Sequence, residues 1–257
     1  MFRPKIIGFV CNWSLPIEVD LTGQNEIDGY PKINIVRVMC VGRIDPTIVL
    51  ETFAKGADGV LVIGCEPPDC HYVEGNLQAE QKVKMLKKLL SRAGLEPERL
   101  RFALIHAPQI GRFAEIVSDF RNHVMMLGPS SLSGEKPDTN MLLNVEAARA
   151  VAEDFRLRVL LGREEELIES GNVYGDKLSQ AEFDEVLDEV IGAEYLRNRI
   201  YLLLKKEPLS VKELSKRLDV DSPVVLRHLV VIRQRGWVTV DRVEGLSPLY
   251  TALEVGQ

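Results

Sequence analysis

Short apolar runs alternate with amphipathic stretches along the first half of the chain. Four runs rich in β-branched residues predict buried strands, and the stretches with helical spacing between them predict helices. The predicted strands are 5–10, 33–41, 58–64 and 100–105; one predicted helix begins at Asp45 and Pro46, and two others cover 78–93 and 110–126. This alternation predicts βαβ units and a parallel sheet with helices on both faces. The fold class is therefore α/β, a flavodoxin-like three-layer domain at residues 1–127.

Residues 128–140 interrupt this pattern, because they are dense in Gly, Pro and Ser and poor in large apolar residues. That composition predicts a linker after the first domain. Residues 141–191 follow with a helical pattern and a net charge of −8, which predicts an acidic helical connector. Residues 192–257 carry three helical patterns and then two short strand-like runs. This order predicts a winged helix-turn-helix domain.

The overall composition agrees with that of a folded globular protein. Of the 257 residues, 46% are hydrophobic and 27% are charged. No apolar run approaches the ~20 residues of a membrane-spanning helix, so we expect no membrane association. The first residues lack the apolar stretch of a secretion signal, so we expect a cytoplasmic protein. The net charge of −6 argues against binding of nucleic acid through overall charge.

All four cysteines of the chain lie within its first 70 residues. Cys11 follows the first predicted strand, Cys40 ends the second, and Cys65 and Cys70 follow the third. In a parallel sheet these positions share the carboxyl edge, where α/β folds place their ligands. Structural disulfides are not expected in a chain without an export signal, which leaves a metal or redox site or four unrelated buried thiols.

Four thiolates around one centre suit either zinc or an iron–sulfur cluster. The four-residue spacer of the C-E-P-P-D-C loop is at the upper limit of zinc-ribbon spacing, and the other two cysteines are single and remote. The spacing therefore favours an iron–sulfur cluster, and zinc stays the alternative.

A resemblance to a known family rests on several ordered motifs. They are F-V-C-N-W, V-R-V-M-C-V-G-R, the helix opening D-P, and G-A-D-G-V-L-V-I-G-C-E-P-P-D-C-H-Y-V-E-G-N. Together they make residues 4–127 resemble the delta subunit of methyl-viologen-reducing hydrogenase. The resemblance implies one 2Fe-2S cluster and electron transfer in an anaerobic complex. It also implies two partners: a hydrogenase or formate dehydrogenase subunit, and a heterodisulfide-reductase-like subunit that contains flavin and iron–sulfur clusters.

We predict that Cys11, Cys40, Cys65 and Cys70 all bind the cluster, because they are the only thiols in the sequence. The family usually has a second cysteine in C-N-W-C, where this chain has Ser14. If that cysteine is a ligand in the family, this chain depends on Ser14 or His71, or lacks the cluster. His71 also suits a supporting position around the cluster. Arg43, near Cys40, could raise the reduction potential of the cluster, or it is a solvated residue before the helix.

The sequence offers no evidence for bond-making chemistry. It contains no Gly-rich phosphate loop of the form G-x-G-x-x-G and no supported Ser-His-Asp or Cys-His pairing. We therefore expect a non-catalytic electron-transfer subunit of an oxidoreductase complex.

The third helix of the winged-helix domain has few side chains that can recognise bases. Val224, Leu226 and Val230 occupy positions where donors and acceptors for base edges are expected. We therefore expect a protein interface or a homodimer seam on this helix and no DNA binding. The alternative function is a redox-sensing transcription regulator, with the cluster as sensor and the winged helix as output.

Overall fold

The computed structural model describes residues 2–14, 33–106, 110–134 and 136–254. The chain divides into two compact units, residues 1–180 and 181–257. The first unit contains strands β1 (Ile6–Cys11), β2 (Asn34–Val38), β3 (Gly59–Cys65) and β4 (Leu100–Ile105), and helices α1 (Pro46–Ala54), α2 (Gly75–Ala93), α3 (Ile110–Leu127), α4 (Thr139–Glu153) and α5 (Phe155–Gly162). The second contains α6 (Gln180–Leu204), α7 (Val211–Leu218), α8 (Ser222–Gln234), β5 (Val238–Glu244) and β6 (Ser247–Ala252).

The four strands of the first unit form one parallel sheet with the order β2-β1-β3-β4. On one face, Phe113, Phe120 and Val124 of α3 pack against Leu61 and Ile63. Val60 and Val62 alternate with these residues along β3, face the other side, and are also buried. Burial on both faces explains why the strands are continuous apolar runs. The α/β fold class is confirmed.

The predicted second strand is longer than the observed one. β2 ends at Val38, and a short 3-10 turn over Val41–Arg43 follows it. Cys40 therefore lies in the connection to α1 and not within the strand. Asp45 caps α1, because its carboxylate accepts a hydrogen bond from the Thr47 backbone N–H at 3.0 Å.

The structure divides the chain differently from the predicted linker and connector. α4 packs against α1 and α2, and Asn144 of α4 donates a hydrogen bond to the Ala93 carbonyl at 3.1 Å. The face that α4 buries is mostly small, with Ala147, Ala148 and Ala152 among its residues, and a small-residue face gives a weak hydrophobic pattern. These helices belong to the first unit, so residues 141–162 are not a separate connector.

The predicted linker at 128–140 is anchored to the first unit. Ser130 and Leu132 are buried, and the Ser130 N–H donates to the Asp58 carboxylate at 2.8 Å. The predicted boundary between the connector and the winged-helix domain, after residue 191, lies inside α6, which continues without a break through Gly192. Composition shows that a segment lacks regular structure, but it does not show whether tertiary hydrogen bonds hold it.

A buried polar network ties together the amino ends of the sheet strands. The Asp58 carboxylate accepts hydrogen bonds from the backbone N–H groups of Lys5 and Ser130, each at 2.8 Å. The buried Arg99 guanidinium donates to the carbonyls of Asp58 at 3.1 Å and Gly128 at 3.0 Å. Its Nε also donates to Glu96 at 2.7 Å. The network joins the starts of β1, β3 and β4 to the turn after α3.

The second unit is a winged helix-turn-helix. α7 begins with a capping box, in which Ser210 and Glu213 exchange side-chain and backbone hydrogen bonds. β5 and β6 form the antiparallel wing, and Leu209 pairs with Tyr250 beside it. The core draws on all three helices and the wing: Ile200, Leu204, Leu214, Leu218, Val225, Leu229, Ile232 and Val238 are buried together.

A buried carboxylate connects two helices of this unit. Glu194 of α6 is paired with Arg235 at 2.8 Å and with Arg197 at 2.5 Å. Burial alone would raise the pKa of Glu194, but the hydrogen bond from Arg235 and the charges of both arginines hold it below its ordinary value. Within the described ranges, no helix is both long and apolar enough to cross a bilayer.

Replacing Asp58 by Ala should destabilise the first unit by about 2 kcal/mol, because the buried N–H of Ser130 loses its acceptor. The measurement is urea denaturation followed by Trp13 fluorescence in a Trp237→Phe background. Asp119→Ala, which removes an exposed carboxylate on α3, serves as the control and should change the free energy of unfolding little. Equal stabilities of the two variants would show that the network contributes nothing.

Candidate functional site

The four cysteines lie at the carboxyl edge of the parallel sheet. Cys11 and Cys65 are the last residues of β1 and β3. Cys40 directly precedes the 3-10 turn after β2, and Cys70 lies in the loop between β3 and α2. The first three thiols are buried, and Cys70 is half-buried. The site is therefore closed on the sheet side and open at Cys70.

The sulfurs are arranged as two neighbouring pairs. The Cys65 thiol donates a hydrogen bond to the Cys11 sulfur, and the two Sγ atoms are 3.4 Å apart. Cys40 and Cys70 both lie beside Gly75, the first residue of α2. A Cβ atom on Gly75 would collide with Cys40 Sγ and lie 3.5 Å from Cys70 Sγ. Only glycine leaves room for both sulfurs at this position.

Gly42 makes the second close approach at the site. A Cβ atom on Gly42 would lie only 2.5 Å from the carbonyl oxygen of Gly75. The turn after Cys40 and the first turn of α2 are therefore in backbone contact. This contact brings Cys40, from the β2 side of the sheet, to the cysteines at the end of β3.

Backbone N–H groups surround the sulfurs. The N–H groups of Trp13, Ser14 and Val41 act to lower the pKa of Cys11, those of Gly42 and Arg43 act to lower the pKa of Cys40, and that of His71 acts to lower the pKa of Cys65. Backbone N–H groups near a sulfur stabilise negative charge on it, and in iron–sulfur sites they influence the reduction potential.

The site accommodates one thiolate easily and further thiolates with difficulty. The hydrogen bond from Cys65 lowers the pKa of the Cys11 thiol to about 6, although burial opposes this shift. That hydrogen bond, burial, and the charges of Cys11 and Cys70 raise the pKa of Cys65. Burial and the charges of Cys11 and Cys70 likewise raise the pKa of Cys40. A cation among the sulfurs would relieve this repulsion, because metal binding displaces thiol protons.

The donor set fits a centre that prefers thiolates, although the described residues hold no preformed group of three or more metal-binding side chains. Two pairs of sulfurs lie at one edge of the sheet, and backbone N–H groups favour the charged form of three of them. The residues thus match the chemistry of a sulfur-ligated centre.

Ser14 and His71, the candidate replacement ligands, have other contacts. Ser14 is buried, and its hydroxyl donates to the Cys11 carbonyl at 2.9 Å, so it holds the turn after β1. The exposed His71 ring stacks on Trp13, with ring centroids 3.7 Å apart and planes 15° apart. Arg43 is exposed, and its backbone N–H donates to the Cys40 carbonyl at 3.1 Å. These contacts position the loops that carry the cysteines.

Two residues that the sequence pattern did not predict support the site. Asn76 is buried, and its side-chain amide donates to the Cys65 carbonyl at 3.0 Å. The Lys82 ammonium donates to the Gly42 carbonyl at 2.6 Å. Asn76 directly follows Gly75, at the end of the cysteine-containing loop, so its place in the sequence could have indicated a role at the site. Nothing in the pattern of α2 distinguishes Lys82 from the other lysines of that helix.

The loop after Cys70 shows local backbone strain. Val73 has φ of 64°, a left-handed conformation that a β-branched residue rarely adopts. Its side chain is 80% exposed, so burial does not compensate for the strain. Strain of this kind is typical of functional loops, where neighbouring contacts hold the backbone.

An apolar surface lies on α8 of the second unit. Leu226 is 45% exposed and Val230 46% exposed, as predicted for outward positions, while Val224 is partly buried. On the wing, Arg242 donates to Asp241 at 2.7 Å and to Glu244 at 2.8 Å. Its charge is therefore balanced locally and is poorly suited to attract phosphate.

The fold and site together define an α/β protein with a cluster of thiols at its sheet edge, followed by a winged helix. Comparison with known proteins specifies the family. Residues 6–128 match the family described as methyl-viologen-reducing hydrogenase, delta subunit. Residues 196–240 match the family described as bacterial regulatory protein, arsR family. The chain belongs to the hydrogenase delta subunit family and carries an additional winged helix-turn-helix.

Relatives of two kinds match about half of this chain. The iron-sulfur subunit of the F420-non-reducing hydrogenase vhc of Methanococcus voltae is 40% identical over 131 residues, which are 51% of this chain and 91% of that protein. The iron-sulfur subunit of the F420-non-reducing hydrogenase of Archaeoglobus profundus is 40% identical over 128 residues, 50% of this chain and 93% of that protein. One subunit of the ferredoxin:CoB-CoM heterodisulfide reductase of Methanosarcina mazei is 40% identical over 126 residues, 49% of this chain but 16% of that protein.

In the metal-free chain, N-ethylmaleimide should label Cys70 about tenfold faster than Cys40 or Cys65, because only Cys70 is accessible among these three. Peptide mass mapping after timed quenching measures the order. Labelling in guanidinium chloride is the control, and there all four thiols should react at similar rates. Equal native rates for Cys40 and Cys70 would contradict the described burial.

Proposed function

We propose that this chain is an electron-transfer subunit that carries one 2Fe-2S cluster on Cys11, Cys40, Cys65 and Cys70. It passes electrons between a hydrogenase or formate dehydrogenase and a heterodisulfide-reductase-like subunit that contains flavin and iron–sulfur clusters. The observation that carries the proposal is that two pairs of thiols, Cys11 with Cys65 and Cys40 with Cys70, lie at the same edge of the sheet.

The surroundings of the thiols suit a redox centre. Bound there, a cluster would supply one-electron chemistry. The chain's own residues bury three of the sulfurs, hold the four in two pairs, and favour the charged form of the buried three through nearby backbone N–H groups. Relatives named as iron–sulfur subunits support iron over zinc. Zinc at the same four sulfurs remains the alternative, and it would give a structural site without electron transfer.

The surface around Cys70 suits contact with an electron partner. We call Trp13, Met39, Tyr72 and Val73 the rim patch; all four side chains are exposed, and they lie beside the cysteines in sequence. Large exposed apolar side chains of this kind mark interaction sites when they form a patch. Cys70, the half-buried ligand, lies on the same loop as Tyr72 and Val73, so a docked partner would have a short path to the cluster.

The two kinds of relative support the choice of partner. The same domain forms nearly all of a hydrogenase subunit in one case and 16% of a much longer heterodisulfide reductase subunit in the other. Because this domain is covalently joined to the rest of the longer subunit, it functions next to the rest of that subunit. We therefore propose an equivalent neighbour, supplied as a separate chain, for this protein.

The experiment that tests the function is anaerobic purification of the full chain with iron and sulfide analysis. We expect about two iron and two sulfide per chain and a broad visible absorption, as a 2Fe-2S cluster requires. Replacing any one of the four cysteines by Ala should abolish the absorption or severely reduce it. A full cluster after two separate replacements would disprove the ligand assignment, and zinc without iron would support the structural alternative.

A matched pair of glycine variants controls for general damage. Gly75→Ala places a methyl group against Cys40 Sγ and should reduce cluster content severely. Gly111→Ala on α3 meets no atom within 4 Å and should leave the content unchanged. If both variants load fully, the described packing at Gly75 does not matter for the site.

The second candidate function is a redox-sensing transcription regulator, which the arsR-family match favours. The side chains on the winged helix support protein docking instead. The exposed face of α8 presents Leu226 and Val230, and the charge of Arg242 on the wing is balanced by Asp241 and Glu244. We therefore propose that this unit docks another protein of the complex or a second copy of the chain.

Leu226→Asp should weaken complex or dimer assembly about tenfold or more, because a buried leucine contributes roughly 1.5–3 kcal/mol. The variant should keep the visible spectrum of the cluster. Analytical ultracentrifugation and co-purification measure assembly, and Val173→Asp, at an exposed aliphatic of the first unit, is the control. Normal assembly of Leu226→Asp, together with promoter footprints whose affinity falls steeply with salt, would establish the regulator.

A further inference from the structure

Lys82 connects α2 to the loop that carries Cys40. Its half-buried side chain crosses from the helix, and its Nζ donates a 2.6 Å hydrogen bond to the Gly42 carbonyl. Gly42 lies in the 3-10 turn Val41–Arg43 that directly follows Cys40, and it is in backbone contact with Gly75, which lies against the Cys40 sulfur. The residue that receives the Lys82 ammonium thus belongs to the turn that carries Cys40.

Two further charges lie in this neighbourhood. Asp45 caps α1 and is paired with Arg158 of α5 at 2.9 Å. Both groups interact electrostatically with Lys82, as does Cys40. Lys82, Arg158 and Asp45 together carry a single net positive charge. Arg158 lies outside residues 6–128, so this part of the arrangement is not within the segment that matches the family.

We propose that Lys82 is a positioning residue for the sulfur-ligated centre, which holds the turn after Cys40 and places a partly buried positive charge beside its sulfur. The inference rests on the proposed function. Reduction adds negative charge to the centre, so a nearby fixed cation stabilises the reduced state and raises the reduction potential.

The energetic balance at Lys82 agrees with this role. Burial lowers the pKa of Lys82, and Arg158 acts in the same direction, while Asp45 and Cys40 oppose the shift. A partly buried ammonium is therefore stabilised by the negative groups that it faces. A lysine that served only to cover apolar surface with its stem would place its ammonium in water instead of on a backbone carbonyl.

The test is the midpoint potential of the cluster in the full-length chain, measured by redox titration followed by electron paramagnetic resonance. Lys82→Met removes the charge and keeps most of the side-chain length, so the potential should shift to more negative values. Lys82→Arg keeps the charge and should restore most of the potential. Lys84→Met, at an exposed lysine of the same helix that is paired with Glu80, should leave the potential unchanged.

Asp45→Asn gives an independent result of opposite sign. It removes the negative charge near Lys82 while an amide oxygen can still cap α1, so the potential should shift to more positive values. If Lys82→Met does not retain the cluster, Asp45→Asn decides the question. An unchanged potential in Asp45→Asn then overturns the inference. An unchanged potential in cluster-loaded Lys82→Met overturns it as well. A wild-type chain without iron refutes the proposed function itself, which separates the two failures.

Discussion

Parallel pairing of β1 with both β2 and β3 is the constraint on which the site depends. It brings the carboxyl ends of three strands to one edge, so that Cys11 and Cys65, 54 positions apart in the chain, have their Sγ atoms 3.4 Å apart. The network of Asp58 and Arg99 fixes the opposite edge, where the strands begin. The network therefore stabilises one edge of the sheet, and the thiols lie at the other, the edge where α/β folds place their ligands.

Two close backbone approaches complete the cluster of thiols. Strand geometry alone places Cys11 beside Cys65, but Cys40 and Cys70 lie beyond their strands and reach the site through loops. The contact between Gly42 and Gly75 brings these loops together, and side chains at either position would separate them. Lys82 and Asn76 then hold the same loops from α2. The helix thus supports the cysteines on both sides of the site.

Electrostatics explains why such an arrangement favours a cationic centre. Each buried thiolate raises the pKa of its neighbours, so the four sulfurs cannot all be charged without a compensating group. Backbone N–H groups supply part of this compensation, and Lys82 adds a full charge nearby.

The sequence alone determined the fold class and the shared edge of the cysteines. Strands buried on both faces must be continuous apolar runs, and a cysteine just after such a run must lie at the carboxyl end of a parallel sheet. The capping box at Ser210 and the exposed Leu226 and Val230 followed from local pattern in the same way. These features depend on residues near each other in the chain, so periodicity detects them.

The tertiary structure decided how distant segments meet. It paired Cys11 with Cys65, placed Cys40 and Cys70 at Gly75, and directed Lys82 to Gly42. It also joined residues 128–162 to the first unit through Ser130, Leu132 and α4, where composition suggested a linker and a connector. These contacts depend on backbone hydrogen bonds and small residues, which carry no hydrophobic signal, and a pattern along the chain therefore cannot show them.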